Sequence, residues 1–311
     1  MGVTLVGAGY RPELHKLFVG DGPPAVDCAE LIANRYFATD AVARPWELEA
    51  LTGLPVVVHG LSGNVASVSG PDAAYLGHIR QLADFTGAIA YSDHLAFTGA
   101  SERSLGHLAP NRFDDELLDL AARHIERMGR LTNRRVCLEN LATKTMVTGS
   151  RYTPEEFYLR LLEVSDGWDC LFDLTNVWIN SQNRPVDPIA VIDAIPPSRL
   201  RYIHLAGGQW MHGELVDSHS HAVHPEAFEL LAYVLERADP EVIIIERDSN
   251  FDGAEDEIRA DLATVRDLLA SRSQSLGTHS TGVARGQRSR TAASTNRRAK
   301  TATTVRDRAA G

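Results

Sequence analysis

Short runs of consecutive apolar residues, rich in Val, Ile and Leu, recur along most of the chain. Most of these runs do not alternate with polar residues, which is typical of strands that are buried on both faces, as in a parallel sheet. The pattern predicts eight strands, at residues 4–7, 26–32, 55–59, 88–92, 135–139, 170–173, 202–205 and 242–246.

Longer stretches between these strands have apolar residues at helical spacing. Within residues 114–131, for example, Leu117, Ala121, Ile125 and Met128 recur on one helical face. The pattern predicts five helices, at residues 72–85, 114–131, 153–164, 225–237 and 256–269.

This alternation of strands and helices over roughly 250 residues is typical of a (β/α)8 TIM barrel. An open, doubly wound sheet is the alternative architecture. Such sheets commonly carry a G-x-G-x-x-G turn after the first strand, and no such turn follows residues 4–7. We therefore predict an α/β protein with a TIM-barrel fold.

The charge distribution divides the chain into two parts. The 311 residues have a net charge of −10, although residues 273–311 carry eight Lys and Arg residues and one acid, Asp307. Residues 1–272 therefore have a net charge of −17. The basic segment has few large apolar residues, so it cannot bury enough surface to offset the entropy cost of ordering. We predict a metal-binding catalytic barrel over residues 1–272 and a disordered C-terminal tail over residues 273–311.

Several features exclude other classes of protein. No stretch approaches the ~20 apolar residues that a membrane helix requires, and the first residues do not resemble a secretory signal. Cys28, Cys137 and Cys170 include no C-x-x-C pair and suit a reducing compartment as core thiols. An acidic body argues against a nucleic-acid groove. We expect a cytoplasmic protein that binds neither membrane nor nucleic acid.

Residues that can bind metal ions lie at the carboxyl ends of the predicted strands from the third onward. In a TIM barrel these ends converge on one mouth, where active sites lie. One such residue alone is commonly structural, but six successive strand ends offering His, Asp and Glu indicate a site. The residues are His59, Asp93, His94, Glu139, Asn140, Asp173, Asn176, His204, Glu246, Arg247 and Asp248, with Asp217, His219 and His221 in the connection after the seventh strand.

Carboxylates that cluster in one mouth repel each other unless a cation neutralises them. These side chains can supply ligands for two or three cations, and mixed imidazole and carboxylate ligation suits iron, manganese or zinc. Since a carboxylate can bridge two cations, we expect Glu139 and Asp217 to be shared ligands. Asp217 and His219 would point to the same side of an extended segment. The expected catalytic residues are His94, Glu139, Asp217 and Arg247, with Asn140, Arg247 and Asp248 orienting the ligands.

Seven segments of the chain form a recognisable set: VVVHG, YSDHLAF, CLENLA, LFDLTNVWINSQN, YIHLAGG, VDSHSHAV and IIIERDSNFD. Together they resemble the multinuclear non-haem iron-dependent oxidative enzymes, a family that includes the large subunit of the methanobactin-biosynthesis oxidase. The resemblance extends in order from about residue 6 to residue 269. The sequence departs from the family at residues 30–36, which read E-L-I-A-N-R-Y where the family often has E-x-x-x-E-N-Y.

This resemblance implies two or three iron ions, in mixed Fe(II) and Fe(III) states, in the mouth of the barrel. It implies an oxidoreductase that uses dioxygen to modify a residue of a ribosomally synthesised precursor peptide, commonly Cys, with Asp as the alternative. A small partner protein that binds the leader of the peptide usually presents it. The metal ligands of the family correspond to His59, His94, Glu139, Asp173, Asn176, His204, Asp217, His219 and Glu246.

Two other functions fit the same residues. A divalent-metal barrel of the sugar-isomerase or abasic-site endonuclease type also places His, Asp and Glu at strand ends, and a metal-binding scaffold without turnover is the third hypothesis. Aromatic and amide groups just after the strand ends favour an extended peptide across the mouth. The residues expected to ring the mouth are Arg35, Trp178, Asn180, Gln182, Asn183, Trp210 and His212.

Overall fold

The computed structural model describes residues 3–20, 22–38, 41–100 and 103–291, with side chains described as far as Ser273. The chain separates into two units, residues 1–268 and 269–311. Within the described ranges, no helix is long and apolar enough to cross a membrane. Of the predicted disordered tail, residues 292–311 lie outside the described residues, and the backbone of residues 273–291 continues the last helix. The domain boundary at residue 272 stays a prediction.

A closed ring of parallel strands forms the centre of the first unit. The strands found in the described ranges are β1 (Leu5–Gly9), β2 (Cys28–Ile32), β3 (Val56–His59), β4 (Ala90–His94), β5 (Phe97–Ala100), β6 (Arg103–Ala109), β7 (Val136–Glu139), β8 (Trp168–Asp173), β9 (Leu200–Met211), β10 (Glu214–His221) and β11 (Val242–Glu246). Eight of them pair in parallel in the order β1-β2-β3-β4-β7-β8-β9-β11, and β11 pairs with β1 to close the ring. The TIM barrel is therefore confirmed, and each barrel strand overlaps one predicted strand.

Helices connect most successive strands of the ring. The five predicted helices are present, whereas α1, α5 and α6 were not predicted, and the first two connections contain short 3-10 helices, Pro12–Leu17 and Ala33–Tyr36. The described α-helices are α1 (Pro45–Glu49), α2 (Ala73–Thr86), α3 (Asp115–Thr132), α4 (Pro154–Val164), α5 (Leu174–Asn183), α6 (Pro188–Ala194), α7 (Pro225–Leu235) and α8 (Ala254–Thr291).

Side-chain caps explain where several helices begin. The Asp72 carboxylate accepts hydrogen bonds from the first backbone N–H groups of α2, at 2.7 and 2.9 Å. Thr153 and Glu156 form a reciprocal capping box at the start of α4, where Pro154 takes the first helical position. These side chains satisfy N–H groups that have no partner within the helix.

The inside of the barrel is packed with side chains. Its buried cluster consists of Cys28, Val57, Cys137, Leu171, Tyr202, Val242 and Ile244. Burial raises the pKa of the thiols of Cys28 and Cys170 to about 12. All three cysteines are buried and free, so they are core thiols, as predicted.

Two antiparallel additions to the barrel flank its carboxyl end. β5 and β6 form a hairpin directly after β4, and β10 pairs with the outer half of β9. β9 itself runs to Met211, well beyond the predicted end at Leu205. The segment with Asp217 and His219, predicted to be a connection, is therefore part of a long β9–β10 hairpin.

Candidate metal centre

The carboxyl ends of the barrel strands bring the predicted metal-binding side chains together. β3 ends at His59, β4 at His94, β7 at Glu139 and β8 at Asp173. The strand register places His94 opposite Glu139 and Asp173 opposite His204, so these side chains lie at one level of the barrel. Parallel pairing in this register is what converts residues far apart in sequence into one site.

The first group of candidate ligands is His59, His94 and Glu139. The Nε2 atoms of His59 and His94 lie 3.4 and 3.2 Å from Oε2 of Glu139. The His59 ring also contacts Ser92, whose Oγ is 2.8 Å from Nδ1. Burial lowers the pKa of His59 well below its usual value, and the neighbouring His94 and His204 lower it further. His59 is therefore neutral, the form in which imidazole binds a metal.

The second group is Glu139, Asp173, His204 and Glu246, whose ligand atoms all lie within 4.8 Å of one another. Nδ1 of His204 is 2.9 Å from Oε2 of Glu246 and 3.8 Å from Oε1 of Glu139. One oxygen of Glu139 thus faces the first group and the other faces the second. Glu139 would therefore contribute to holding a cation in either group.

Asp217 and His219 extend the second group from the β9–β10 hairpin. Nε2 of His219 lies 2.7 Å from Oδ1 of Asp217, while its Nδ1 is 3.7 Å from Oε2 of Glu246. His219 has a φ of 46°, and the register of β10 shifts between Val216 and His221. The side chains of Asp217 and His219 therefore lie on the same side of the hairpin, as predicted, although the backbone between them is an irregular strand with a left-handed residue.

Asn176 enters the site through the first turn of α5. The Asp173 carboxylate caps this helix by accepting a hydrogen bond from the Asn176 N–H at 2.7 Å. The amide nitrogen of Asn176 donates a hydrogen bond to the backbone carbonyl of Asn140 at 3.1 Å. The amide oxygen of Asn176 therefore points away from Asn140. Asn140 also exchanges hydrogen bonds with the backbone of Asp173, so it holds the junction of β8 and α5 from which the side chains of Asp173 and Asn176 extend.

Several buried atoms at the site lack a hydrogen bond of normal geometry, as metal ligands do when the ion is not present. Among the described residues they are Glu139 Oε2, Asp173 Oδ2, Asn176 Oδ1, His204 Nδ1, Asp217 Oδ1 and His219 Nε2. Four of them lie in close contacts between a histidine and a carboxylate. Buried polar atoms are normally paired, and a cluster of exceptions requires a reason. Each of these atoms is a usual ligand of a divalent cation.

The neighbouring charges of the site shift the pKa values of several of its groups. Burial alone lowers the pKa of His204, but the carboxylates of Glu246 and Glu30 raise it well above its usual value. Burial and the neighbouring carboxylate of Glu139 raise the pKa of Asp173. A cation that binds here would replace protons on these groups.

Two residues that contact candidate ligands or their partners, Glu30 and Arg11, were not predicted to belong to the site. Glu30 is fully buried on β2, with Oε2 2.9 Å from Nε2 of His204 and accepting a hydrogen bond from the Tyr202 hydroxyl. The signal for it was a single acid within the otherwise apolar strand. Similarly, Arg11 donates to Asp248, which lies 3.2 Å from Nδ1 of His219.

Arg247 does not join the other predicted site residues. It is almost completely buried, and its guanidinium donates to the backbone carbonyls of Ser220 and Asn250 and pairs with Glu257. Side chains alternate along the end of β11, so Glu246 faces the barrel mouth while Arg247 faces the opposite side. The predicted catalytic role of Arg247 is therefore not supported by its position, and it holds the β9–β10 hairpin instead.

A cavity of about 370 Å³ opens above the candidate ligands. Of the residues expected to ring the mouth, Asn183 lines this cavity. Trp178 packs on His224 with ring centroids 4.5 Å apart, and Asn180 is buried, with hydrogen bonds to Thr143 and Leu141. Trp210 is 55% exposed on the β9–β10 hairpin. Trp178 therefore packs within the fold and does not ring the mouth, whereas Trp210 stays exposed on a hairpin at the carboxyl end of the barrel.

Comparison with known proteins identifies relatives of the chain. Residues 5–270 match the family model described as RiPP precursor modification enzyme MbnB/TglH/ChrH. A UPF0276 protein from Chromobacterium violaceum is 33% identical over 194 residues, which cover 62% of this chain and 70% of the relative. Another UPF0276 protein, from Acaryochloris marina, is 29% identical over 245 residues, covering 78% of this chain and 87% of the relative.

Solved structures with the same fold are more distant in sequence. A xylose isomerase domain protein from Planctomyces limnophilus has a TM-score of 0.51 and 15% identity, covering 88% of this chain and 98% of that one. Endonuclease IV from Thermus thermophilus has a TM-score of 0.52 and 18% identity, covering 86% and 99%. At this identity the likeness shows the barrel fold alone.

Proposed function

Because the chain belongs to the MbnB/TglH/ChrH family of RiPP precursor modification enzymes, we propose that it is an iron- and dioxygen-dependent oxidoreductase that modifies a cysteine of a ribosomally synthesised precursor peptide. The observation that carries the proposal is the position of Glu139, with one oxygen toward His59 and His94 and the other toward His204. Two cations that share Glu139 would lie side by side at the floor of the cavity.

The donor set supports iron as the metal. His59, His94 and Glu139 would hold one ion, and Glu139 with Asp173, His204 and Glu246 a second. Asp217, His219 and Asn176 offer further unpaired atoms, which could complete these ions or hold a third. Imidazole and carboxylate ligands without thiolate suit iron among the common redox metals, and bound iron would supply the activation of dioxygen.

The protein itself would position the metals and the peptide. Glu30, Ser92, Asn140 and Asp248 each hold a candidate ligand by a hydrogen bond or close contact. The walls of the cavity would exclude water and hold the reactive residue close to the metals. Cysteine is the residue proposed because its thiolate can bind a metal ion directly, and aspartate is the alternative with a carboxylate.

A cavity of about 370 Å³ is the size of a site for a small ligand, so it accommodates only a short segment of peptide. The rest of a precursor must therefore be held elsewhere. We include in the proposal a small partner protein that binds the leader, and a cytoplasmic location in which thiols stay reduced.

Oxygen consumption tests the proposal directly. Iron-loaded protein is given dioxygen and a short Cys-containing peptide encoded beside its gene, with and without the neighbouring small protein. Oxygen uptake with a mass change on the peptide is expected, and free cysteine or sugars should give none. Turnover of a sugar without oxygen uptake would instead indicate an isomerase, and binding of zinc alone without activity after iron loading would also overturn the proposal.

A further inference from the structure

The cavity above the candidate ligands has a wall of apolar and polar side chains. Its large apolar side chains include Ile32, Leu61, Leu108, Leu141, Ile179 and Leu215, and its polar ones include Thr143, Asn183 and Ser218. Among the described residues that line it, Lys144 is the one lysine or arginine. A single lysine in such a wall can select a ligand by charge, because a carboxylate that leaves water to enter the cavity needs a cationic partner.

Lys144 already has a carboxylate partner. It lies in the connection between β7 and α4, and its Nζ is 2.7 Å from Oε2 of Glu214, the first residue of β10. The pair therefore joins two segments that both contribute residues to the cavity wall, since Leu141 precedes Lys144 and Leu215 follows Glu214.

This ion pair is weak enough to be exchanged. The side chains of Lys144 and Glu214 are 47% and 53% exposed. An exposed pair of this kind changes an equilibrium by roughly a factor of two to five. A carboxylate on a ligand that also fills the apolar part of the cavity can therefore replace Glu214 at little cost.

We propose that Lys144 binds a carboxylate of the substrate peptide in place of Glu214, so that the enzyme selects peptides with an acidic group close to the modified residue. The inference rests on the proposed function, because the occupant of the cavity is the precursor peptide. Two sources supply the same chemistry: the C-terminal carboxylate of the peptide, or the side chain of an Asp or Glu near the reactive residue. The apolar side chains of the wall would hold the intervening residues.

Anaerobic binding to the iron-loaded protein tests this inference without requiring turnover. The ligands are four synthetic peptides built on acetyl-Leu-Ala-Cys-Leu: the free acid, its C-terminal amide, and two amides extended by Asp or by Asn. Calorimetric titration of the wild type should give roughly fivefold tighter binding of an acid than of its matched amide. A preference for the free acid assigns the C-terminal carboxylate, and a preference for Asp over Asn assigns a side chain.

Four variants test whether Lys144 causes the preference for acids over amides. Lys144→Gln should abolish it, Lys144→Arg should retain it, and Glu214→Gln should increase it because the competing carboxylate is removed. Lys16→Gln is the matched control, an exposed lysine outside the cavity that should leave the preference unchanged. Equal binding of acids and amides by the wild type, including no binding of either, overturns the inference, as does a preference that persists in Lys144→Gln.

A failure of this inference can be distinguished from a failure of the proposed function. The titration measures binding in the absence of oxygen, and iron content is measured on the same samples. A protein that shows the acid preference but consumes no oxygen with any peptide would disprove the oxidase and leave the role of Lys144 intact.

Discussion

Glu139 is the residue through which the two groups of candidate ligands meet. Replacement by Gln keeps the size of the side chain but converts one ligand oxygen to an amide nitrogen, which does not bind iron. We expect Glu139→Gln to bind less iron than the wild type and to lose oxygen uptake by roughly 100-fold or more. Elemental analysis and an oxygen electrode measure the two effects.

A suitable control for this change is Glu226→Gln on the exposed face of α7. That variant should keep full iron content and activity. Full iron content in Glu139→Gln would contradict its role as a shared ligand, because a bridging carboxylate cannot lose one oxygen without weakening both ions.

Glu30 lies behind the candidate ligands. Its carboxylate is within hydrogen-bond distance of Nε2 of His204, so the other ring nitrogen, Nδ1, faces Glu246 and Glu139. We expect Glu30→Gln to weaken iron binding by roughly 10–100-fold, because the ring loses its fixed orientation. Tyr202→Phe should weaken it less, since Glu30 then still holds His204. Chelator competition gives both affinities, and an unchanged affinity in Glu30→Gln would rule out this role.

At the scale of elements, strand ends could be predicted and hairpins could not. Barrel strands are buried on both faces, so their apolar runs stop where polar residues begin, and His59 and Glu139 mark such ends. β9 carries exposed residues at its outer end, such as Trp210, because it pairs there with β10 instead of lying in the core. Its apolar run therefore ends before the strand does.

The direct transition from β8 into α5 was also not predicted from the sequence. Asp173 is at once the last residue of the strand and the cap of the helix, so no polar loop separates the two elements. The sequence pattern predicted that Trp178 and Asn180 lie on a loop around the mouth, whereas α5 buries them. An Asp followed three residues later by Asn176 was the available signal, because a side chain at that spacing accepts from the third N–H of a helix.

The stability contributed by the contact between α8 and the segment just before α7 should depend on pH. Asp261 on α8 is buried, and it accepts a hydrogen bond from the Val223 N–H at 3.1 Å. Burial raises its pKa to about 6. The folded state therefore binds a proton more tightly than the unfolded chain does, so stability contributed at low pH is lost as pH rises from about 4 through about 6.

Asp261→Asn removes this titration while its amide oxygen can still accept from Val223. We expect the variant to exceed the wild type in unfolding free energy by roughly 1 kcal/mol at pH 8, with the difference shrinking toward pH 5. Thermal unfolding across this range measures the effect, with Asp256→Asn, an exposed acid on the same helix, as the control. A difference that does not vary with pH would refute the account.

At the scale of the whole barrel, the two ends neutralise their buried carboxylates differently. At the start of β8, opposite the mouth, Asp169 is surrounded by Arg135, Arg199 and Arg201. At the mouth, among the described residues, no lysine or arginine forms an ion pair with Glu139 or Asp173. Arginines neutralise Asp169 at the closed end, whereas the partners of Glu139 at the open end are histidines, an arrangement that favours cations from outside the chain. The sequence indicated the cluster at the open end because its His, Asp and Glu residues follow apolar runs, whereas the arginines around Asp169 come from two separate segments and left no such pattern.

The barrel and its site should not require the C-terminal segment. Every barrel strand and every candidate ligand lies within residues 1–268, and residues 274–311 offer no pair of His, Asp or Glu at ligand-like spacing. We expect truncation after Ser273 to leave the melting temperature and iron content unchanged. The eight basic residues of residues 273–311 could still attract an acidic leader peptide, an effect that salt screens within about 8 Å at physiological ionic strength. Truncation should therefore weaken peptide binding only at low salt. A markedly lower melting temperature or loss of iron in the truncated protein would show that the segment contributes to the fold.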